Sequence, residues 1–234
     1  MVSIGPRMIP LVLLFALAST GYAQSSPAPN YNPTPVFSHP TAITHSYLPL
    51  GSLNQDILEG TEGGKPSRVV RTRLPGTKTF KFNGKPVETI IVADSAFEDG
   101  ELIEVALDYF AQSDAGDVYY FGEDVDNYED GRVADHEGAW LYGVNTNKLG
   151  ILLPAAPKVG QRFRSEDVSR TIREDDEVVS VSETVTVPAG TFQNCAKVKE
   201  TLSDGDIEFK LYCPGAGVVQ ELPEDGRVDL KSHT

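Results

Sequence analysis

Apolar and polar residues alternate in short runs along most of this chain, broken by Gly, Pro, Asn and Asp, a period-two pattern that predicts β-strands joined by turns. Residues 68–74 and 77–81 read as strands, and Asn83-Gly84 is the strongest hairpin signal, feeding a strand over 87–92. Residues 102–112 and 118–123 flank a turn. A loop of 113–116 would set Phe110 opposite Tyr119 and Tyr109 opposite Tyr120, cross-strand aromatic pairs that contribute roughly 0.2–1 kcal/mol each. Residues 151–158 carry too much Pro and Ala for a central strand and read as a crossing loop. Short strands follow at 162–164, 178–187, 191–201, 207–213 and 218–222. Helical periodicity is absent beyond the first apolar run, although 102–110 fits either pattern. The expected fold is all-β, an antiparallel meander forming a curled sheet, partly closed barrel or sandwich with little helix.

The ends change the picture of where this domain works. Arg7 precedes an apolar run over 8–18, and Ser19-Thr20-Gly21-Tyr22-Ala23 supplies small residues before a cut, so 1–23 reads as a secretory signal peptide. An uncleaved anchor is the alternative, but the run falls short of the ~20 residues that a spanning helix needs. The mature chain is therefore expected to be secreted or periplasmic, with no transmembrane segment. Pro27, Pro29, Pro33, Pro35 and Pro40 make 24–40 a Pro-rich linker, which leaves 41–234 as a single β domain.

Charge narrows the partners. The chain holds 20 Lys and Arg against 34 Asp and Glu, a formal net charge of −14. That balance argues against nucleic acid. A bound cation would relieve some self-repulsion, and a well-solvated surface is the simpler explanation. Cys195 and Cys213 fall on neighbouring strands of a hairpin in an exported chain, where thiols oxidise to a disulfide. A three-residue loop, Ser203-Asp204-Gly205, places them directly opposite. A two-residue Asp204-Gly205 turn instead sends them to opposite faces, and a bulge near Asn194 could reconcile the two.

Tyr47-Leu48-Pro49-Leu50, Asp108-Tyr109-Phe110-Ala111-Gln112, Val118-Tyr119-Tyr120-Phe121-Gly122-Glu123, Val187-Pro188-Ala189-Gly190-Thr191-Phe192 and Tyr212-Cys213-Pro214-Gly215-Ala216-Gly217 together resemble a family of uncharacterised exported bacterial proteins, over about residues 44–221. The last two motifs are also similar to domains related to the periplasmic lipoprotein carriers. These resemblances imply a curved antiparallel sheet with a concave apolar face. They bring no catalytic residue with them.

Residues 108–142 concentrate the candidate chemistry. Asp126, Tyr128, Asp130, Gly131 and Glu137 approach the spacing of a calcium loop, with Asp126, Asp130 and Glu137 as the oxygen donors. Tyr128 stands where a donor belongs, and Asp130-Gly131 is equally an ordinary hairpin turn. Calcium is the one cofactor this pattern raises. His136, with His39 and His45, could ligate a transition metal or act as a base, but nothing in the sequence ties the three together. Glu123, Asp124, Asp135 and Glu137 offer carboxylate pairs for glycosidic cleavage, with Glu123, Glu137 and His136 as catalytic candidates. Tyr109, Tyr119, Tyr120, Phe121, Trp140 and Tyr142 are the candidate ligand contacts, an aromatic platform with Tyr119 and Phe121 on one face and Tyr120 on the other. No nucleophile elbow, zinc-protease, Walker or dinucleotide motif is present. The leading reading is a non-enzymatic binding protein for a small molecule, lipid or glycan. A carbohydrate-active hydrolase or lyase using acids of 123–137 comes second, and a structural envelope module third.

Overall fold

Two-residue turns such as Asn83-Gly84 and Asp130-Gly131, with positive φ at both positions, give the type I′ geometry whose twist matches that of the flanking strands. In the computed structural model, which describes residues 34–234, turns of this kind set much of the first half of a fourteen-stranded antiparallel sheet. The strands are β1 (Gln55–Glu62), β2 (Lys65–Phe82), β3 (Lys85–Glu98), β4 (Glu101–Gln112), β5 (Val118–Glu129), β6 (Arg132–Asp135), β7 (Trp140–Leu141) and β8 (Gly150–Leu153). β9 (Arg162–Asp167), β10 (Arg173–Val187), β11 (Gly190–Thr201), β12 (Ile207–Cys213), β13 (Gly217–Leu222) and β14 (Gly226–His233) complete it. From β6 the order runs back through β5, β4, β3, β2 and β1 to β14, and then down through β13, β12, β11 and β10 to β9. The short β7 and β8 both pair with β5. The leader and residues 24–33 of the linker lie outside the described residues.

One ion pair shows how far this sheet bends. The Arg71 guanidinium on β2 reaches Glu221 on β13 at 3.3 Å, although β1 and β14 lie between them. In a flat sheet those strands would stand about 14 Å apart, three steps of ~4.8 Å. They meet only because the face that carries them is the inside of a curl. At the far ends, β8 backs onto β9 so closely that a Cβ on Gly150 would overlap the Ser165 carbonyl. No ladder joins β8 to β9, so the sheet is curled but unclosed, which corrects the expectation of a barrel.

A strap of chain before β1 seals one face. Asp114 N–H donates to Val36 O, Asp114 accepts from Ser38, and Gln112 accepts from Thr44 N–H. His45 Nε2 lies 2.9 Å from Pro154 O, and Gly215 N–H donates to Ser46 O at 2.8 Å. The strap thus crosses from the β4–β5 turn to the β12–β13 turn. Residues 34–40, the end of the expected linker, belong to it, and Phe37 packs edge-on against Phe82, Tyr119 and Phe121.

Several strands differ from expectation. β1 and β14 were not expected, yet they join the two halves, with Leu58 and Leu230 paired and fully buried. Residues 68–81 form one strand with a bulge between Leu74 and Thr77, and 102–112 is strand. The segment read as a crossing loop begins inside β8. The β4–β5 turn takes five residues, so Phe110 faces Tyr120 and Ala111 faces Tyr119, one step away from the predicted register. Asp117 is the cause, since its carbonyl accepts from Ser113 N–H at 2.9 Å and holds it in the turn.

Ala196 pairs with Tyr212, which sets Cys195 opposite Cys213, and the two form a disulfide buried in the core. The three-residue loop is the one adopted, with Leu202 N–H donating to Asp206 O. Replacing both cysteines by serine is expected to lower the unfolding free energy by about 3 kcal/mol, the typical value for a loop of this length. Urea unfolding of the oxidised protein and the double variant measures the difference.

Candidate functional site

Strands of a curled sheet bring inward-facing residues close across the curl, and here many of those residues are acids. Asp108 on β4 accepts from the Tyr120 hydroxyl of β5 at 2.7 Å, and the indole N–H of Trp140 donates to Glu166 of β9 at 3.0 Å. Glu123 of β5 shares a hydrogen bond with Glu166 across the gap between β5 and β9. Burial, then the negative neighbours, pushes Asp108 and Glu166 up to about 7 and holds Glu123 well above the usual carboxylate range. One proton between Glu123 and Glu166 is what makes their contact attractive.

Farther along the same face, Glu174, Asp176 and Glu200 place carboxylate oxygens within 4.8 Å of one another, the set of three metal-competent side chains found among the described residues. Lys210 Nζ lies 2.7 Å from Glu200 Oε2, a close ion pair at the edge of this set. Burial raises Glu200 to about 8 and Asp176 well above the ordinary value, while Ser165 N–H donates to Asp176. Glu208 on β12, half-buried, is raised to about 7, chiefly by desolvation.

The predicted residues divide sharply. Tyr109, Tyr119, Tyr120, Phe121 and Trp140 are buried, and only Tyr142 keeps partial exposure. Phe110 stacks on Tyr120 at 4.9 Å with Trp140 edge-on beyond it, while Phe80 and Tyr142 surround Phe121 on the other face. The two faces are as expected, but both are covered, and the rings bind one another. Glu123 alone among the predicted acids enters the inner cluster. Asp124 is held by Lys78 and the Tyr109 hydroxyl at 2.8 and 2.6 Å. Asp126 contacts His136 Nδ1 at 2.9 Å, and Asp135 accepts from Asn127 and from Glu137 N–H. Asp130 occupies the exposed β5–β6 turn, and Asp126, Asp130 and Glu137 do not converge. His39 is exposed and His45 is buried in the strap, kept neutral chiefly by desolvation.

Sequence reading missed a second feature, on the opposite face of β10–β14. Successive bulges in β10 between Val178 and Val185 bend it away from β11. They open a cleft of about 220 Å³ walled by Glu183, Thr184, Thr186, Lys197, Gln220 and Arg227, with Val185, Leu211 and Leu222 beneath. Gln220 and Arg227 are both anchored on Asp229. Lys197 sits over the Phe209 ring at 4.2 Å and has no carboxylate partner among the described residues. A separate void, beside Leu48, Leu53 and Val218, measures only about 10 Å³.

The inner acids make stability pH-dependent with a definite sign. Raised carboxyls bind protons in the folded state that the unfolded chain has released, so stability falls as pH rises from about 4.5 through 7 to 8. Asp124 and Asp167, held below the usual range by Lys and Arg partners against the cost of burial, add stability that is lost on acidification below about 4. The urea midpoint is expected to be highest near pH 4–4.5 and lower at pH 8.5 than at pH 5.5. An unfolding series across pH measures this directly.

No family model and no curated protein matches the chain. Among solved structures it is similar to a protein of Bacteroides fragilis that is inferred to be exported and described as having a YmcC-like fold, with 16% identity, a TM-score of 0.39, and coverage of 78% of this chain and 96% of that one. The similarity to lipoprotein carriers gains no support from these comparisons, and no helix among the described residues is long and apolar enough to cross a membrane.

Proposed function

We propose that this is an exported, non-enzymatic binding protein that holds a small polar ligand, such as the end of a glycan, in the cleft between the bent β10 and strands β11 to β14. The observation that carries this reading is Lys197, a cation without a carboxylate partner among the described residues of an acidic chain, standing in a polar cleft beside Gln220 and Arg227. The cleft, of about 220 Å³, is roomy enough for a small polar ligand. Glu183 is its one carboxylate wall, so no acid pair is available there for hydrolysis.

Two other readings lose ground on geometry. A lipid carrier needs an apolar chamber, and the void beside Leu48 holds no more than a single water. A carbohydrate-active enzyme on Glu123 needs its second carboxyl at least about 5 Å away, whereas Glu166 is hydrogen-bonded to it. Export is supported by the leader pattern of residues 1–23 and by the Cys195–Cys213 disulfide, which belongs in an oxidising compartment.

Titration with a panel of neutral and acidic monosaccharides, followed by amide NMR, tests the cleft. Saturable shifts are expected at Thr186, Lys197, Gln220 and Arg227, and Lys197→Ala is expected to weaken binding by about tenfold, or ~1.4 kcal/mol. Shifts confined to other surfaces, or none at millimolar ligand, would overturn the assignment.

A further inference from the structure

The sheet leaves one unladdered seam, between the edge formed by β5, β7 and β8 and the facing strand β9. No ladder ties its two sides, which meet through the close packing of Gly150 on Ser165 and through side-chain contacts. On one flank are the Glu123–Glu166 carboxyl pair and the Trp140–Glu166 hydrogen bond. On the other flank, Lys148 pairs with Asp167 at 2.8 Å, and the Thr146 hydroxyl donates to Asp167 O at 3.1 Å. We propose that this seam is a proton-operated latch, closed while Glu123 and Glu166 share a proton and released on the Trp140 side when both are ionised.

The surroundings make the pair sensitive. From β4, Asp108 and Glu104 face Glu123; from β10, Glu174 faces Glu166; and Asp94 of β3 faces Asp108 and Glu104. Against these acids stand the Tyr120 hydroxyl, already given to Asp108, and the Trp140 N–H, already given to Glu166. Lys210 of β12 acts on Glu166 but is engaged by Glu200, and Arg71 acts on Asp108 while paired with Asp94 and Glu221. No cation is left over for a second negative charge at the seam. Two ionised carboxylates in this half-buried gap repel, and the gap has no ladder hydrogen bonds to resist them.

The far flank should hold. Asp167 is kept ionised by Lys148 and Arg164, so its contacts do not change over the range in which the latch works. Release is therefore a local swing of the Trp140 side about the 146–150 segment. It exposes the inner aromatic pair Phe110–Tyr120 and the acid cluster behind it. The device is independent of the Lys197 cleft, which lies on the other face of the sheet.

Trp140 is the one tryptophan of the chain and sits on the seam, so its fluorescence reads the latch directly. In the oxidised protein, raising pH from 5.5 to 9 is expected to shift its emission to the red and increase acrylamide quenching, with the far-UV circular dichroism unchanged. Glu123→Gln supplies a permanent N–H donor to Glu166 and is expected to keep Trp140 shielded across the same range. Glu166→Gln tests the same exchange from β9 and is expected to behave alike. The proposal is overturned if Trp140 stays shielded in the wild type to pH 9, if both variants follow the wild-type profile, or if fluorescence and far-UV signals change together in all three proteins.

Discussion

The curl places more carboxylates than cations on its inner face, and that imbalance governs much of the molecule. Asp108, Glu123, Glu166, Glu174, Asp176, Glu200 and Glu208 crowd there, with Lys210 and Arg71 as the cations that reach them. An ionised acid crowded by other acids and partly withdrawn from water is costly, so Asp108, Glu123, Glu166, Asp176, Glu200 and Glu208 hold their protons to higher pH than ordinary carboxyls. Carboxyl groups that stay neutral become hydrogen-bond donors. Glu123 can then bridge to Glu166 across a gap that no backbone ladder spans.

Everything else braces this arrangement. Aromatic rings fill both faces of β5, the strap from Thr34 to Asn54 seals the outer one, and the Cys195–Cys213 bridge fastens the centre of the second half. β1 and β14 splice the two halves, with Asn54 and Gln55 N–H groups both donating to the C-terminal Thr234 carbonyl. The cleft on the outer face of β10–β14 arises from bulges in β10 and not from the interior of the curl. The cleft and the inner acids thus occupy opposite faces of the same strands.

Much of the fold was legible because alternation and turn chemistry are local. Asn83-Gly84 fixes a register by itself, whereas Ser203-Asp204-Gly205 left two registers open, and the Leu202–Asp206 hydrogen bond decides for the three-residue loop. β1 and β14 were missed because their apolar residues are few and each gains its partner from the opposite end of the chain. The aromatic density of 108–142 read as a ligand platform, because a sequence does not show that both faces of a strand are covered. Asp130-Gly131 forms a hairpin turn, and such a turn asks for the same residues as a cation loop. The inner acids did leave a trace: Glu200 continues the buried phase of Ala196 and Val198, and Asp176 precedes Val178 in the same way. What alternation cannot give is that strands distant in sequence, β4, β5, β9, β10 and β12, turn those positions toward one another.

The central claim is that the interior carboxyls remain protonated near neutral pH. Carbon-13 NMR of side-chain carboxyls, labelled in Asp and Glu and titrated from pH 3 to 9, reads each group's proton directly. A set that includes Asp108, Glu166, Glu200 and Glu208 is predicted to titrate near 7 to 8. If every carboxyl resonance completed its shift in the ordinary range, about 3 to 5, the account of the curl and its seam would be contradicted.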